Sequence, residues 1–232
     1  MNSITTDPSI VITKMQDGTL CDTDPLHHEV FSDLLLKHGK NNNKPIDDDF
    51  FHEHIAGKTN EAIFPALFPE LDGKTHITMW EEKERAFREL AESKLKRLPG
   101  LTELLQWAKT MEITVVAVTN APRPNADLML KALQLENGFA HLVIGTECVR
   151  AKPHPEPYLE GLRLAGEVRN KSLDPKKCIA FEDSPTGMTA AVGAGIPTVG
   201  GMTSQSGLVL EEAGASVCIS DFEDPQLMDA MA

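Results

Sequence analysis

Apolar and polar positions along this chain change rhythm twice. Near the start, Ser9-Ile10-Val11-Ile12-Thr13 is apolar without alternation, the pattern of a strand buried on both faces. From about Leu98 onward similar short runs recur: Ile113–Val118, Leu142–Gly145, Cys178–Phe181, Pro197–Val199 and Ser216–Ile219. Between them the apolar residues take helical spacing, at Leu101–Thr110, Asn125–Leu133, Pro155–Ala165 and Thr186–Gly193. Brief β-branched strands alternating with helices of this length predict an α/β fold built on a doubly wound parallel sheet. Pro25 to Arg97 breaks the rhythm. There an amphipathic stretch at His28–His38, a polar turn at Lys40–Lys44 and a long charged stretch at Trp80–Lys96 read as helices without strands. The expected organisation is a core of residues 9–24 and 98–232 with an inserted α-helical cap domain over residues 25–97.

Composition narrows the partners. The chain has 232 residues, enough for one α/β core and a modest insertion, with ordinary hydrophobic (41%) and charged (25%) content. A formal net charge of -13 repels nucleic acid and anionic membranes, so neither is expected as a partner. A phosphorylated substrate stays open, because a local lysine and a metal ion outweigh a distant negative field. No apolar run approaches the roughly 20 residues of a membrane span. Met1 to Pro8 is polar and has no basic-then-apolar leader pattern, so the cytoplasm is the expected location; a monomer is the expected state. Cys21, Cys148, Cys178 and Cys218 are far apart and form no Cys-x-x-Cys pair, which suits buried structural thiols. His52 and His54 have the wrong spacing for one helical face and read as surface residues rather than metal ligands.

Four stretches carry candidate chemistry, each at the end of a strand, where open α/β sheets place their sites. The first is Met15-Gln16-Asp17-Gly18-Thr19-Leu20, in which Asp17 is a candidate proton donor. The second is Thr119-Asn120, whose hydroxyl and amide are suited either to donate to a phosphate oxygen or to cap the next helix. The third is Ala151-Lys152-Pro153-His154-Pro155. A lysine at a helix start is unfavourable beside the positive end of the helix dipole, and a nearby anion would explain it. The fourth is Phe181-Glu182-Asp183-Ser184-Pro185. Two adjacent carboxylates at a strand end call for a cation, and hard oxygen ligands of this kind suit Mg²⁺; a simple helix cap is the alternative.

Taken in order, the four stretches resemble the four signatures of the haloacid dehalogenase-like (HAD) hydrolases, so the sheet is expected to be a Rossmann-like HAD core. Helices inserted after the first signature mark the subgroup similar to β-phosphoglucomutase and small sugar phosphatases. Cys21-Asp22-Thr23-Asp24-Pro25, Ile55-Ala56-Gly57-Lys58 and Val118-Thr119-Asn120-Ala121-Pro122 look especially like the plant broad-range sugar phosphatases. The resemblance implies a small phosphorylated sugar as substrate and Mg²⁺ as cofactor. It places Thr119 and Lys152 on the transferring phosphoryl group, with Asn120 beside them. Glu182 and Asp183 would hold the metal together with Asp17, and His27, Gly57 and Lys58 would meet the sugar.

One position departs from that family. Its first signature reads Asp-x-Asp, the first Asp attacking phosphorus and the second acting as acid/base; here the second is Asp17 and the first falls on Met15. A thioether cannot form an aspartyl-phosphate. Three readings follow: a Mg²⁺-dependent sugar-phosphate phosphatase, a catalytically silent phosphate-binding protein, and a β-phosphoglucomutase-like isomerase.

Overall fold

The structure is a computed structural model that describes residues 10–14, 18–56 and 58–231. Met15, Gln16, Asp17 and Gly57 lie outside the described residues. The chain divides into two units, one of residues 1–22 and 96–232, the other of residues 23–95.

In the larger unit the described strands are β1 (Ile10–Lys14), β2 (Thr114–Thr119), β3 (His141–Ile144), β4 (Cys178–Glu182), β5 (Thr198–Gly201) and β6 (Val217–Ile219). All pair in parallel, in the order β3-β2-β1-β4-β5-β6. The chain winds outward from β1 through β2 to β3, then returns to the other side of β1 and winds outward again. This is the doubly wound sheet the periodicity predicts. Every side chain of β2 and of β4 is buried, which is why those strands read as unbroken apolar runs.

Helices α5 (Leu101–Thr110), α6 (Arg123–Ala132), α7 (Glu156–Val168), α8 (Pro185–Gly193), α9 (Gly207–Glu212) and α10 (Pro225–Met231) connect and flank these strands. A core of Val116, Val118, Val143, Leu162, Ala165, Ala180, Ala190 and Ile196 joins the faces of α7 and α8 to β2, β3 and β4. Small side chains on α8 let it lie close to the sheet. None of the four cysteines is in a disulfide, and burial, aided by the Asp174 charge, pushes the Cys178 thiol up to about 11, so it stays protonated and inert.

The smaller unit is helical: α1 (Asp24–Lys37), α2 (Asp48–His54), α3 (Asn60–Leu67) and α4 (Gly73–Lys94). Phe31, Leu35, Phe51, Phe64, Phe68 and Met79 form its own apolar core. The sequence stretches at 28–38 and 80–96 overlap α1 and α4, which begin earlier, at Asp24 and Gly73, and end at Lys37 and Lys94; α2 and α3 are additional. Asp47 and Asp72 cap α2 and α4 by accepting from Phe50 N at 2.9 Å and Thr75 N at 2.8 Å. Among the described residues no helix is long and apolar enough to cross a membrane.

Candidate active site

Register decides which residues meet. Lys14 pairs with Val118 and Thr13 with Phe181, so β2 and β4 deliver Thr119 and Glu182-Asp183 to the same edge of the sheet. That edge lies beside β1, where the strand order reverses, the position at which open α/β sheets generally bind their ligands.

Lys152 comes from the segment between β3 and α7. Its backbone is gripped by Asn120: Lys152 N donates to Asn120 Oδ1 at 3.2 Å, and Asn120 Nδ2 donates to Lys152 O at 3.1 Å. The ammonium reaches inward, donating to Glu182 Oε1 at 2.8 Å and to Val118 O at 3.4 Å. Both side chains are sealed, 2% and 0% exposed. The anion expected beside Lys152 is therefore present within the protein, and the lysine is no solvated surface charge. Asn120, expected on the substrate, uses both amide atoms to brace Lys152. Thr119 is fully buried, and its Oγ1 accepts from Ala121 N at 2.9 Å.

Tyr158, on α7 and fully buried, donates its hydroxyl to the same Glu182 Oε1 at 2.5 Å. The Lys152 ammonium also lies 5.5 Å from the Tyr158 ring centre. Burial, and then the Glu182 carboxylate, push the Tyr158 phenol well above its ordinary value, so it remains a donor. Gly187, in the first turn of α8, packs against Glu182 so closely that a Cβ would overlap the carboxylate.

Asp183 is 2% exposed and held from two loops. Thr19 Oγ1 donates to Oδ1 and Ser204 Oγ to Oδ2, each at 2.9 Å. Thr203 Oγ1 donates to Gly18 O at 2.5 Å, tying the loop after β5 to the turn after β1. Gly18 has φ +87, a conformation open to glycine, and a Cβ there would strike Asp183.

The set fits a divalent cation. Glu182 and Asp183 supply hard oxygens, the hydroxyls of Thr19 and Ser204 orient one of them, and Mg²⁺ needs only one or two carboxylates plus waters and substrate oxygens. Among the described residues no group of three or more His, Cys, Asp or Glu is placed to hold a metal ion. The third expected ligand, Asp17, lies outside the described residues, as does Met15.

In the helical unit the other expected residues are placed separately. The His27 ring stacks on Phe87 with centroids 4.2 Å apart. Lys58 is exposed, its ammonium donating to Glu53 O, and Gly57 lies outside the described residues. His52 is exposed, and His54 packs on Phe50 at 4.5 Å. Tyr158, Thr19, Thr203 and Ser204 were not expected from sequence. Only Tyr158 carried a signal, since a tyrosine on the apolar face of a helix must find a partner for its hydroxyl.

A doubly wound sheet whose strand-order reversal gathers a sealed lysine and two carboxylates at the strand ends defines a Rossmann-like α/β protein. The chain belongs to the haloacid dehalogenase-like hydrolase family, whose model matches residues 16–200. It is 34% identical over 214 residues to the phosphorylated carbohydrates phosphatase of Thermotoga maritima, covering 89% of this chain and 92% of that protein. It is 27% identical to the validoxylamine A 7'-phosphate phosphatase of Streptomyces hygroscopicus subsp. limoneus, covering 85% and 87%. A solved Thermotoga maritima structure, provisionally described as a β-phosphoglucomutase, superposes with a TM-score of 0.76 at 32% identity, covering 95% of this chain and 97% of that one.

Proposed function

We propose that the strand-end site binds the phosphoryl group of a small sugar phosphate with Mg²⁺, and that it is a phosphatase site in which Met15 occupies the position of the attacking carboxylate. The observation that carries this reading is the buried Lys152–Glu182 pair beside Asp183. A sealed ion pair is a poor source of stability, because desolvation cancels most of its attraction. Its persistence at the switch point is better explained by an anion that joins it.

In this reading Lys152 and the Thr119 hydroxyl donate to phosphoryl oxygens, and Asn120 fixes the lysine's backbone. Glu182 and Asp183 hold Mg²⁺, which when bound supplies charge neutralisation on those oxygens. Thr19 and Ser204 keep the Asp183 carboxylate aimed. Asp17 gives and takes the proton of the leaving oxygen. Support for a sugar phosphate comes from the phosphatase relatives, whose names specify phosphorylated carbohydrates and a 7'-phosphate.

Without a carboxylate at position 15 no acyl-phosphate forms, so binding survives and turnover does not. Phosphate release from small sugar phosphates should rise by at least about three orders of magnitude in Met15→Asp, or ~4 kcal/mol of transition-state stabilisation. Fast turnover by the unaltered chain, abolished by Asp17→Asn, would show that another group attacks phosphorus. Retention of orthophosphate binding in Lys152→Ala would remove the lysine from the site.

A further inference from the structure

We infer that Tyr158 is a positioning residue that keeps Lys152 available to the phosphoryl group by sharing the Glu182 carboxylate. The inference rests on the proposed role of Lys152 and goes beyond it to a residue that touches no substrate.

Lys152 and Glu182 lie 2.8 Å apart and both are sealed from water. At that distance and burial, an undivided carboxylate charge would hold the ammonium tightly and spend its attraction before any phosphate arrived. Tyr158 changes the balance at one atom: its hydroxyl donates to Oε1, the oxygen that Lys152 also uses. A strong donor on that oxygen draws off part of its negative charge and fixes the carboxylate's orientation. The ammonium is left with positive potential to offer an incoming phosphoryl oxygen. The phenol is held for this task by its helix. Tyr158 lies in the first turn of α7 and is fully buried, so its ring packs in the apolar core and its oxygen has one direction to point.

Tyr158 is the chain's single tyrosine, which makes the test clean. Orthophosphate binding in Mg²⁺ is measured by calorimetry for the native chain, Tyr158→Phe, Glu182→Gln and the double variant. Loss of a hydrogen bond to a charged group predicts affinity about tenfold weaker in Tyr158→Phe. With Mg²⁺ raised until Glu182→Gln again binds orthophosphate measurably, the charge to be shared is gone and adding Tyr158→Phe should cost little. Equal losses in the two backgrounds would overturn the inference, as would unchanged affinity in Tyr158→Phe.

Should Tyr158→Phe fail to fold, growth on 3-fluorotyrosine labels this position alone and leaves the hydroxyl in place. The fluorine resonance should move when orthophosphate is added to the Mg²⁺-containing protein and stay still in Lys152→Ala. A resonance that ignores phosphate, in a chain that calorimetry shows binding it through Lys152, would overturn the role of Tyr158 while leaving that of Lys152 standing. Absence of phosphate binding in the native chain would overturn both.

Discussion

Among the described residues two lysines are buried, one in each unit, and they are balanced by different means. Lys152 faces Glu182 with neither side chain reaching water. Lys83, on α4, takes its place in the buried stripe of His76, Met79, Phe87 and Ala91. Its ammonium lies 5.0 Å from the centre of Phe31 and 5.9 Å from that of Phe87. Its carboxylate partner, Glu84 at 2.9 Å, keeps a quarter of its side chain in solvent and also accepts from Asn60. Burial of a charge is thus no single state. Where the counter-ion reaches water, removing the lysine leaves an anion that water and an amide can support. Where the counter-ion is sealed, removal strands it.

The largest effect should separate the two sites outright. Lys152→Met leaves Glu182 buried without its cation, at a cost of about 3–5 kcal/mol in chemical denaturation. Adding Glu182→Gln should recover most of that loss, since a neutral amide is not stranded by burial, while under the proposed function phosphate binding stays absent. A double variant no more stable than the single would mean that the carboxylate is not the stranded group.

Gly187→Ala tests the sealing from the opposite side. Its new methyl would overlap the Glu182 carboxylate, and overpacking of this kind costs about 1–3 kcal/mol. Phosphate binding should weaken with it, since the carboxylate must move away from Lys152. Full stability in Gly187→Ala would show that α8 can retreat and that the site is looser than its burial implies.

Lys83→Met should cost less, about 1 kcal/mol or under, because the stem's packing is largely kept and Glu84 retains Asn60 and solvent. A loss as large as that of Lys152→Met would erase the contrast.

The smallest effect concerns pH. Burial works to raise the Glu84 carboxyl, but the Lys83 charge and the hydrogen bonds from Asn60 and Lys83 outweigh it and hold it below its usual range. A depressed folded-state value stabilises the folded state above the ordinary glutamate range and loses that contribution as pH falls through the folded value. Lys83→Met should therefore flatten the acid limb of stability against pH. An unchanged acid limb would assign that loss to other carboxylates.

Much of the architecture was legible because parallel strands buried on both faces leave unbroken apolar runs, and each helix between them keeps its own period. β2 and β4 lie within a residue of the runs that announced them. The short helices α2 and α3 were less visible, because seven or eight residues span too few turns for a periodicity to stand out. In the site, Thr119, Lys152, Glu182 and Asp183 were marked by strand ends and by the family pattern. Thr19 and Ser204 carried no mark, since a loop hydroxyl becomes informative only when folding brings it to a carboxylate 164 or 21 residues away. Lys83 was hidden in a charged stretch. Its spacing four residues from Met79 and four from Phe87 places it on the buried stripe, a clue that composition alone obscures.

The helical unit leaves and rejoins the larger one through a clasp. Cys21 forms an antiparallel bridge with Arg97, and Leu98 N donates to Leu20 O at 2.9 Å. Everything between those residues is a loop, in the topological sense, whose mouth is already stitched shut. The entropy of closing such a loop grows only logarithmically, about 0.6 kcal/mol for each doubling of its length. The larger unit is therefore almost indifferent to how much chain is spliced in at this point. A lineage could lengthen, shorten or exchange the insert while the turn at Gly18 and the start of α5 keep their places. The stitch makes the insert a replaceable cartridge, free to diversify while the strand ends stay fixed.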